Sequence, residues 1–149
     1  MRKVLALLLS VVMALSLMAT TAWADPVEQD LAGKTVILHT NDVHGDIAKY
    51  AKVAALKSEL KARGADVILA DAGDYSQGTI YVSVNKGADA VTMMNAAGYD
   101  VATIGNHEFD YGYEQLMQNM AKANFQVLCA NVSKDGAPIF AENTIIEKG

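Results

Sequence analysis

Six residues in three short stretches have the types and spacing to do chemistry. Asp42 and His44 lie in "HTNDVHG" (39–45), Asp74 in "DAGDYSQGT" (71–79), and Asn106, His107 and Asp110 in "GNHEFD" (105–110). Carboxylate, imidazole and amide oxygen are the ligands of intermediate or hard divalent ions such as zinc, manganese, iron and magnesium. Two residues apart in an extended chain, Asp42 and His44 point the same way and can clasp one ion. Asp74 has two oxygens and can bridge two ions about 3.5–4 Å apart, with Asn106 ligating the second through its carbonyl oxygen. A carboxylate close to a histidine fixes its tautomer and supports its charged form. His107, with Asp110 three residues on, therefore reads as a catalytic residue that stabilises charge on a transferring phosphoryl group or protonates the leaving oxygen. Gly45, Gly73 and Gly105 permit tight turns and close backbone approach beside these groups.

Each of these signals has an ordinary competitor. Asp-x-His recurs by chance, and Gly-Asp or Gly-Asn after a strand is commonly a plain turn. Asn106 can be a helix N-cap with Glu108 in the first turn, and Glu108 reads as a cap or structural contact rather than a ligand. His39 reads as a core histidine and Cys129 as a small core residue. Met93, Met94, Met117 and Met120 lie at helical spacing and are assigned to the core, whereas Lys52, Lys57 and Lys61 are assigned to a solvated face. The conjunction of three motifs, each after a strand, lifts the metal reading above these.

The elements that must position the six residues follow from the pattern. Strands are predicted over 35–40, 66–74 with its polar loop, 100–106 and 125–132. Helices are predicted over 46–63, 89–98 and 113–124, and Gly136 and Pro138 mark a turn before a further strand or hairpin. The first helix carries Glu59 four residues before Arg63 and stops at Gly64, with Val53, Leu56 and Leu60 on one side. The third places Leu116, Met117, Met120 and Ala121 on one face. Strands alternating with helices give βαβ units and a largely parallel, buried sheet. In such a sheet the carboxyl ends of the strands form the ligand crevice, and all three clusters follow those ends.

The N-terminus reads differently. Arg2 and Lys3 precede the apolar run 4–18, and Ala22-Trp23-Ala24 is a small-x-small cleavage signal. Residues 1–24 are thus expected to be a secretory signal peptide cut after Ala24. The run is shorter than the ~20 residues needed to span a bilayer, so no stable membrane insertion is expected after cleavage. Residues 25–34 form a polar leader. The chain has 12 basic and 17 acidic residues; losing Arg2 and Lys3 leaves a formal charge of −7. That excludes a nucleic-acid partner, which needs basic surface, but admits a small phosphate ester if metal ions supply positive charge. The single cysteine cannot form an internal disulfide.

"LHTNDVHG", "DAGDYSQGT", "GYDVATIGNHEFDYG" and "VLCANV" together closely resemble the 5′-nucleotidase family of calcineurin-like metallophosphoesterases, over about residues 35–132. The motifs are evenly spaced, 32 residues from Asp42 to Asp74 and 32 from Asp74 to Asn106. The resemblance implies a four-layer αββα sandwich with two divalent metal ions, zinc, manganese or similar. It puts the first-metal ligands on Asp42 and His44, the bridging carboxylate on Asp74, the second-metal amide on Asn106 and the catalytic pair on His107 and Asp110. The implied reaction is hydrolysis of nucleoside 5′-monophosphates by metal-activated water, in a secreted, periplasmic or extracellular enzyme; nucleotide sugars and cyclic nucleotides are alternative substrates. The family's further histidine ligands, including a Gly-His-x-His motif, have no counterpart after His107. Residues 35–149 are therefore expected to be the N-terminal half of the catalytic domain, inactive or weakly active by itself. The rival reading is a non-catalytic secreted binding module that retains half the fold.

Overall fold

The computed structural model describes residues 30–147. The expected signal peptide and most of the polar leader lie outside the described residues. Among the described residues six strands and four helices are formed: β1 (Thr35–Thr40), α1 (Ile47–Ala62), β2 (Asp66–Asp71), α2 (Ile80–Ser83), α3 (Ala88–Ala97), β3 (Val101–Thr103), α4 (Tyr113–Met120), β4 (Gln126–Leu128), β5 (Ser133–Lys134) and β6 (Ala137–Pro138). A 3-10 turn, His107–Phe109, sits between β3 and α4.

Strands β1 to β4 form one parallel sheet in the order of the chain, with Leu38 opposite Leu69, Ala70 opposite Val101 and Ala102 opposite Val127. Crossovers between parallel strands are right-handed. A sheet whose order never reverses therefore carries all its crossover helices on one face. The burial pattern agrees. Val67 and Leu69 of β2 and Ala102 of β3 are fully buried against Tyr50 of α1, Val91 and Met94 of α3 and Leu116 of α4. Burying each large apolar side chain contributes roughly 1.5–3 kcal/mol. The opposite face has no second layer among the described residues: Ile37 is 68% exposed, and Ile68, Ala70, Val101 and Leu128 are only half-buried. The parallel α/β architecture is as expected, with one sheet and one helical layer.

Local signals set the boundaries. Asp46 caps α1, its carboxylate accepting the Ala48 N–H at 3.1 Å. α3 ends at Gly98, in the left-handed region at φ 74°, with Gly98 N–H on Asn95 O and Tyr99 N–H on Met94 O, the paired bonds of a Schellman stop. α4 stops at Met120, short of the expected 124, because Asn95 captures the next turn: its amide donates to Lys122 O at 2.8 Å and accepts from Asn124 N at 2.7 Å. The hairpin β5–β6 turns at Gly136, and beyond it the chain forms only a parallel bridge between Leu128 and Ala141.

Two expectations are corrected. Lys57 is not on a solvated face; it is buried, donating to Gly98 O and to Asp100 Oδ2, the latter at 2.8 Å. α1 packs against α3, and the ammonium sits on the Gly98 carbonyl just past the C-terminal end of α3, where a cation is favoured. His39 is not a core histidine: it alternates with Thr35 and Ile37 on the uncovered side of β1 and is exposed. Lys52 and Lys61 are exposed, Cys129, Met94 and Met120 are buried, and Met93 and Met117 are half-buried.

Candidate metal centre

The loops after β1, β2 and β3 meet at one rim of the sheet. Ligating atoms of His44, Asp74 and His107 all lie within 4.8 Å of one another. The two imidazole rings stand edge to face, centroids 5.0 Å apart. His44 Nδ1 donates to the carbonyl of Gln77 at 2.8 Å; a carbonyl can only accept, so Nε2 is left with its lone pair facing the site, the tautomer a metal ligand needs. Asp74 Oδ1 accepts the His107 N–H at 3.0 Å.

Asp42 stands at the edge of this trio. Its Oδ1 is 3.9 Å from His44 Nε2, its side chain is 58% exposed, and Oδ2 accepts from the Asn41 amide at 2.6 Å. The stretch is not extended as the sequence suggested: Asp42 and His44 both have φ 50°, so the pair is aimed by a left-handed turn rather than by strand alternation. Asn106 is exposed at the start of the 3-10 turn, and its amide makes no capping bond. His107 Nδ1 donates to Asp110 Oδ2 at 2.7 Å, the pairing that their spacing predicted. That hydrogen bond raises the His107 pKa above the usual imidazole value, with added attraction from Asp110, Asp74 and Glu108.

Backbone strain collects here. Five non-glycine residues have left-handed φ among the described residues, and three are Asp42, His44 and Asp74 (φ 62°). Such conformations cost on the order of 1–3 kcal/mol when nothing local compensates, though Asp and His tolerate them better than most. Two backbone bonds hold the first loop on the second: Asp42 N–H to Gly73 O at 3.0 Å and His44 N–H to Asp74 O at 3.1 Å. Gly73 (φ 104°) and Gly105 pack so closely that a β-carbon on Gly73 would lie 2.6 Å from Gly105 N, and one on Gly105 would collide with the Asp74 carboxylate.

Glu108 holds the second loop to the third. It is buried, its Oε1 accepting from Tyr75 N and Ser76 N and its Oε2 from Asp74 N and Gly105 N, at 2.6 to 3.0 Å. The sequence allowed a cap or a structural contact; the structure gives the contact, spanning two loops. Asp71 and Gln77 were not singled out from the sequence. A signal for Asp71 was present: it shares the buried face of β2 with Val67 and Leu69, where an acid needs partners.

The profile of the "Calcineurin-like phosphoesterase" family matches residues 35–147. The chain belongs to that family. It is 41% identical over 118 residues to a snake venom 5′-nucleotidase of Gloydius brevicauda, covering 68% of this chain and 20% of the relative. It is 37% identical over 123 residues to the human 5′-nucleotidase, covering 70% and 21%. The chain thus spans about a fifth of the length of the curated relatives it matches. Among solved structures, the calcineurin-like phosphoesterase YfkN of Bacillus subtilis superposes with a TM-score of 0.63 at 28% identity over 75% of this chain and 41% of that one. A 5′-nucleotidase precursor of Thermus thermophilus gives 0.59 at 31% identity over 64% and 22%. The clustered imidazoles and carboxylate are suited to holding a divalent ion. No helix among the described residues is long and apolar enough to cross a membrane.

Proposed function

We propose that this chain is the N-terminal part of the catalytic domain of a secreted 5′-nucleotidase, exported by a leader cleaved after Ala24. It removes phosphate from nucleoside monophosphates with two divalent ions, zinc or manganese. Asp42, His44, Asp74 and Asn106 would hold the ions. The observation that carries the reading is the convergence of His44, Asp74 and His107 on one rim, within a chain that shares its family with phosphoesterases.

The donor set fits. His44 presents Nε2 because Gln77 occupies Nδ1, and Asp74 keeps Oδ2 clear of the His107 N–H taken by Oδ1. Bound ions would supply an activated water and neutralise charge on the phosphoryl oxygens. The remaining chemistry belongs to the side chains. His107, held at Nδ1 by Asp110, carries a second proton on Nε2 in its charged form. From there it can donate to a phosphoryl oxygen or protonate the leaving alkoxide. Asp110 fixes which nitrogen faces the substrate and makes the charged form easier to keep.

The test uses protein expressed from the complete gene and measures phosphate release from AMP, a nucleotide sugar and a cyclic nucleotide, with manganese, with zinc and with chelator. The expected result is metal-dependent release from AMP that Asp74→Asn abolishes. Preference for the nucleotide sugar or the cyclic nucleotide would move the substrate assignment while leaving the metal centre in place. Activity that survives both chelation and Asp74→Asn would sink the proposal. Edman sequencing of the exported protein should begin at Asp25.

A further inference from the structure

We propose that Asp71 is a positioning residue that latches the first two ligand-bearing loops together from beneath the metal centre. The inference rests on the metal reading above for its consequence, and on hydrogen-bond geometry alone for the latch itself.

Asp71 is the last residue of β2 and is 4% exposed. Its Oδ1 accepts the Gly73 N–H at 2.8 Å, and its Oδ2 accepts Thr40 Oγ1 at 2.5 Å. Thr40 ends β1, directly opposite Asp71 in the parallel register. Because the Thr40 hydroxyl has one proton and gives it to Asp71, its 2.7 Å contact with Tyr99 OH must be a bond donated by Tyr99. Donated bonds therefore converge on Asp71 from two sides, from Tyr99 through Thr40 on Oδ2 and from the Gly73 N–H on Oδ1.

Both sides control candidate ligands. Gly73 sits at φ 104°, a conformation that aims the following residue, Asp74. The Gly73 carbonyl accepts the Asp42 N–H, and the Thr40 carbonyl accepts the Ala72 N–H at 2.8 Å. One buried carboxylate thus fixes the peptide that orients Asp74 and the strand end from which Asp42 and His44 depart. No ligand function is open to Asp71 itself, since both of its oxygens face the fold. Partners of this kind govern ligand orientation, and losing them typically weakens metal affinity by about 10–100-fold.

The test is made on protein expressed from the complete gene with Asp71→Ala, Thr40→Val and Asp71→Asn. Two quantities are read: Mn²⁺ affinity by titration calorimetry, and amide hydrogen exchange at Gly73 and Asp42 without metal. Asp71→Ala and Thr40→Val should weaken Mn²⁺ binding by about 10–100-fold and accelerate exchange at those two amides, while Leu69 and Val91 stay protected. Asp71→Asn should stay near wild type in both, because its Oδ1 still accepts from Gly73 and its Nδ2–H can donate to Thr40. Exchange that is unchanged, or accelerated equally throughout the core, overturns the latch, as does failure of Asp71→Asn to rescue. If Asp71→Ala does not fold, Thr40→Val, which leaves the bond between Asp71 and the Gly73 N–H in place, decides. If the unaltered protein from the complete gene binds no Mn²⁺, the metal reading falls and the exchange pattern decides the latch independently.

Discussion

Glu108 Oε2 accepts the backbone N–H of Asp74 at 2.9 Å across 34 positions of sequence. The same oxygen accepts from Gly105, and the other carboxylate oxygen from Tyr75 and Ser76. The loop after β2 and the loop after β3 are therefore closed on one buried side chain. An amide in its place presents N–H to two buried donors. Each unsatisfied donor costs about 1–3 kcal/mol, so Glu108→Gln is expected to destabilise the chain by roughly 3 kcal/mol or more. Urea denaturation of the two proteins checks this; equal midpoints would mean that the four bonds contribute nothing net.

His107 should titrate above the usual imidazole pKa in chelator-treated protein, because the hydrogen bond to Asp110 favours its charged form. A raised folded-state value means that the stabilisation is complete below about 6.5, the unfolded value, and fades as pH climbs through the folded value. Histidine NMR titration reads this directly. Asp110→Asn removes the carboxylate and should bring the His107 midpoint down; an unmoved midpoint would show that Asp110 is not its controlling partner.

Burial lifts the Asp71 carboxyl to about 6, against the lowering bonds from Thr40 and Gly73, with Glu108 and Asp42 adding repulsion. The sign is opposite to that of a paired surface acid. Folding favours protonated Asp71, so this contribution is complete below the ordinary carboxyl range and is lost as pH rises through about 6. Ionising the group then opposes folding by on the order of 3 kcal/mol. Asp71→Asn cannot ionise. Compared with the unaltered chain it should gain relative stability as pH rises from about 3 to about 7, roughly in that amount, in metal-free thermal melts at a series of pH values. A pH-independent difference would refute the shift.

The motif loops were legible in the sequence because each follows a strand whose apolar run is unmistakable, and β1 and α1 fall within a residue of their expected limits. The His107–Asp110 contact was legible too, since three residues span one tight turn. What the sequence hid was which side of an element faces inward. Lys57 follows Leu56 on a weakly striped helix, so nothing local shows that the lysine is buried and the leucine 41% exposed. His39 alternates with residues that only a covering layer would bury. Glu108 could be seen as a structural acid, but its four donors come from two loops whose meeting depends on strand order. Asp42 was tied to His44 by an extended-strand argument, whereas left-handed backbone at both residues does the aiming.

Gly105 offers a test of how tightly the rim is built. Its φ is unremarkable, so alanine is not excluded by backbone strain, yet an added β-carbon would run into the Asp74 carboxylate. Gly105→Ala should therefore displace Asp74 while sparing the helices. The expected outcome is loss of Mn²⁺ binding in calorimetry with a far-ultraviolet circular dichroism spectrum like that of the unaltered chain. Retained affinity would mean that Asp74 can swing aside and still bind.

The uncovered sheet face gives the last prediction. Ile37 is 68% exposed on β1, opposite Ile68 in register, with Ala70, Val101 and Leu128 half-buried on the strands beyond. β1 is also an edge strand, and no described residue pairs with its outer side. A contiguous apolar face joined to an open edge favours association between copies. Lysine at position 37 puts charge on both features without touching the buried face of β1, which carries Val36 and Leu38. Sedimentation of the chain should show mass rising with concentration, and Ile37→Lys should shift it toward monomer with little change in the melt. A concentration-independent monomer for the unaltered chain would show that this face does not drive association.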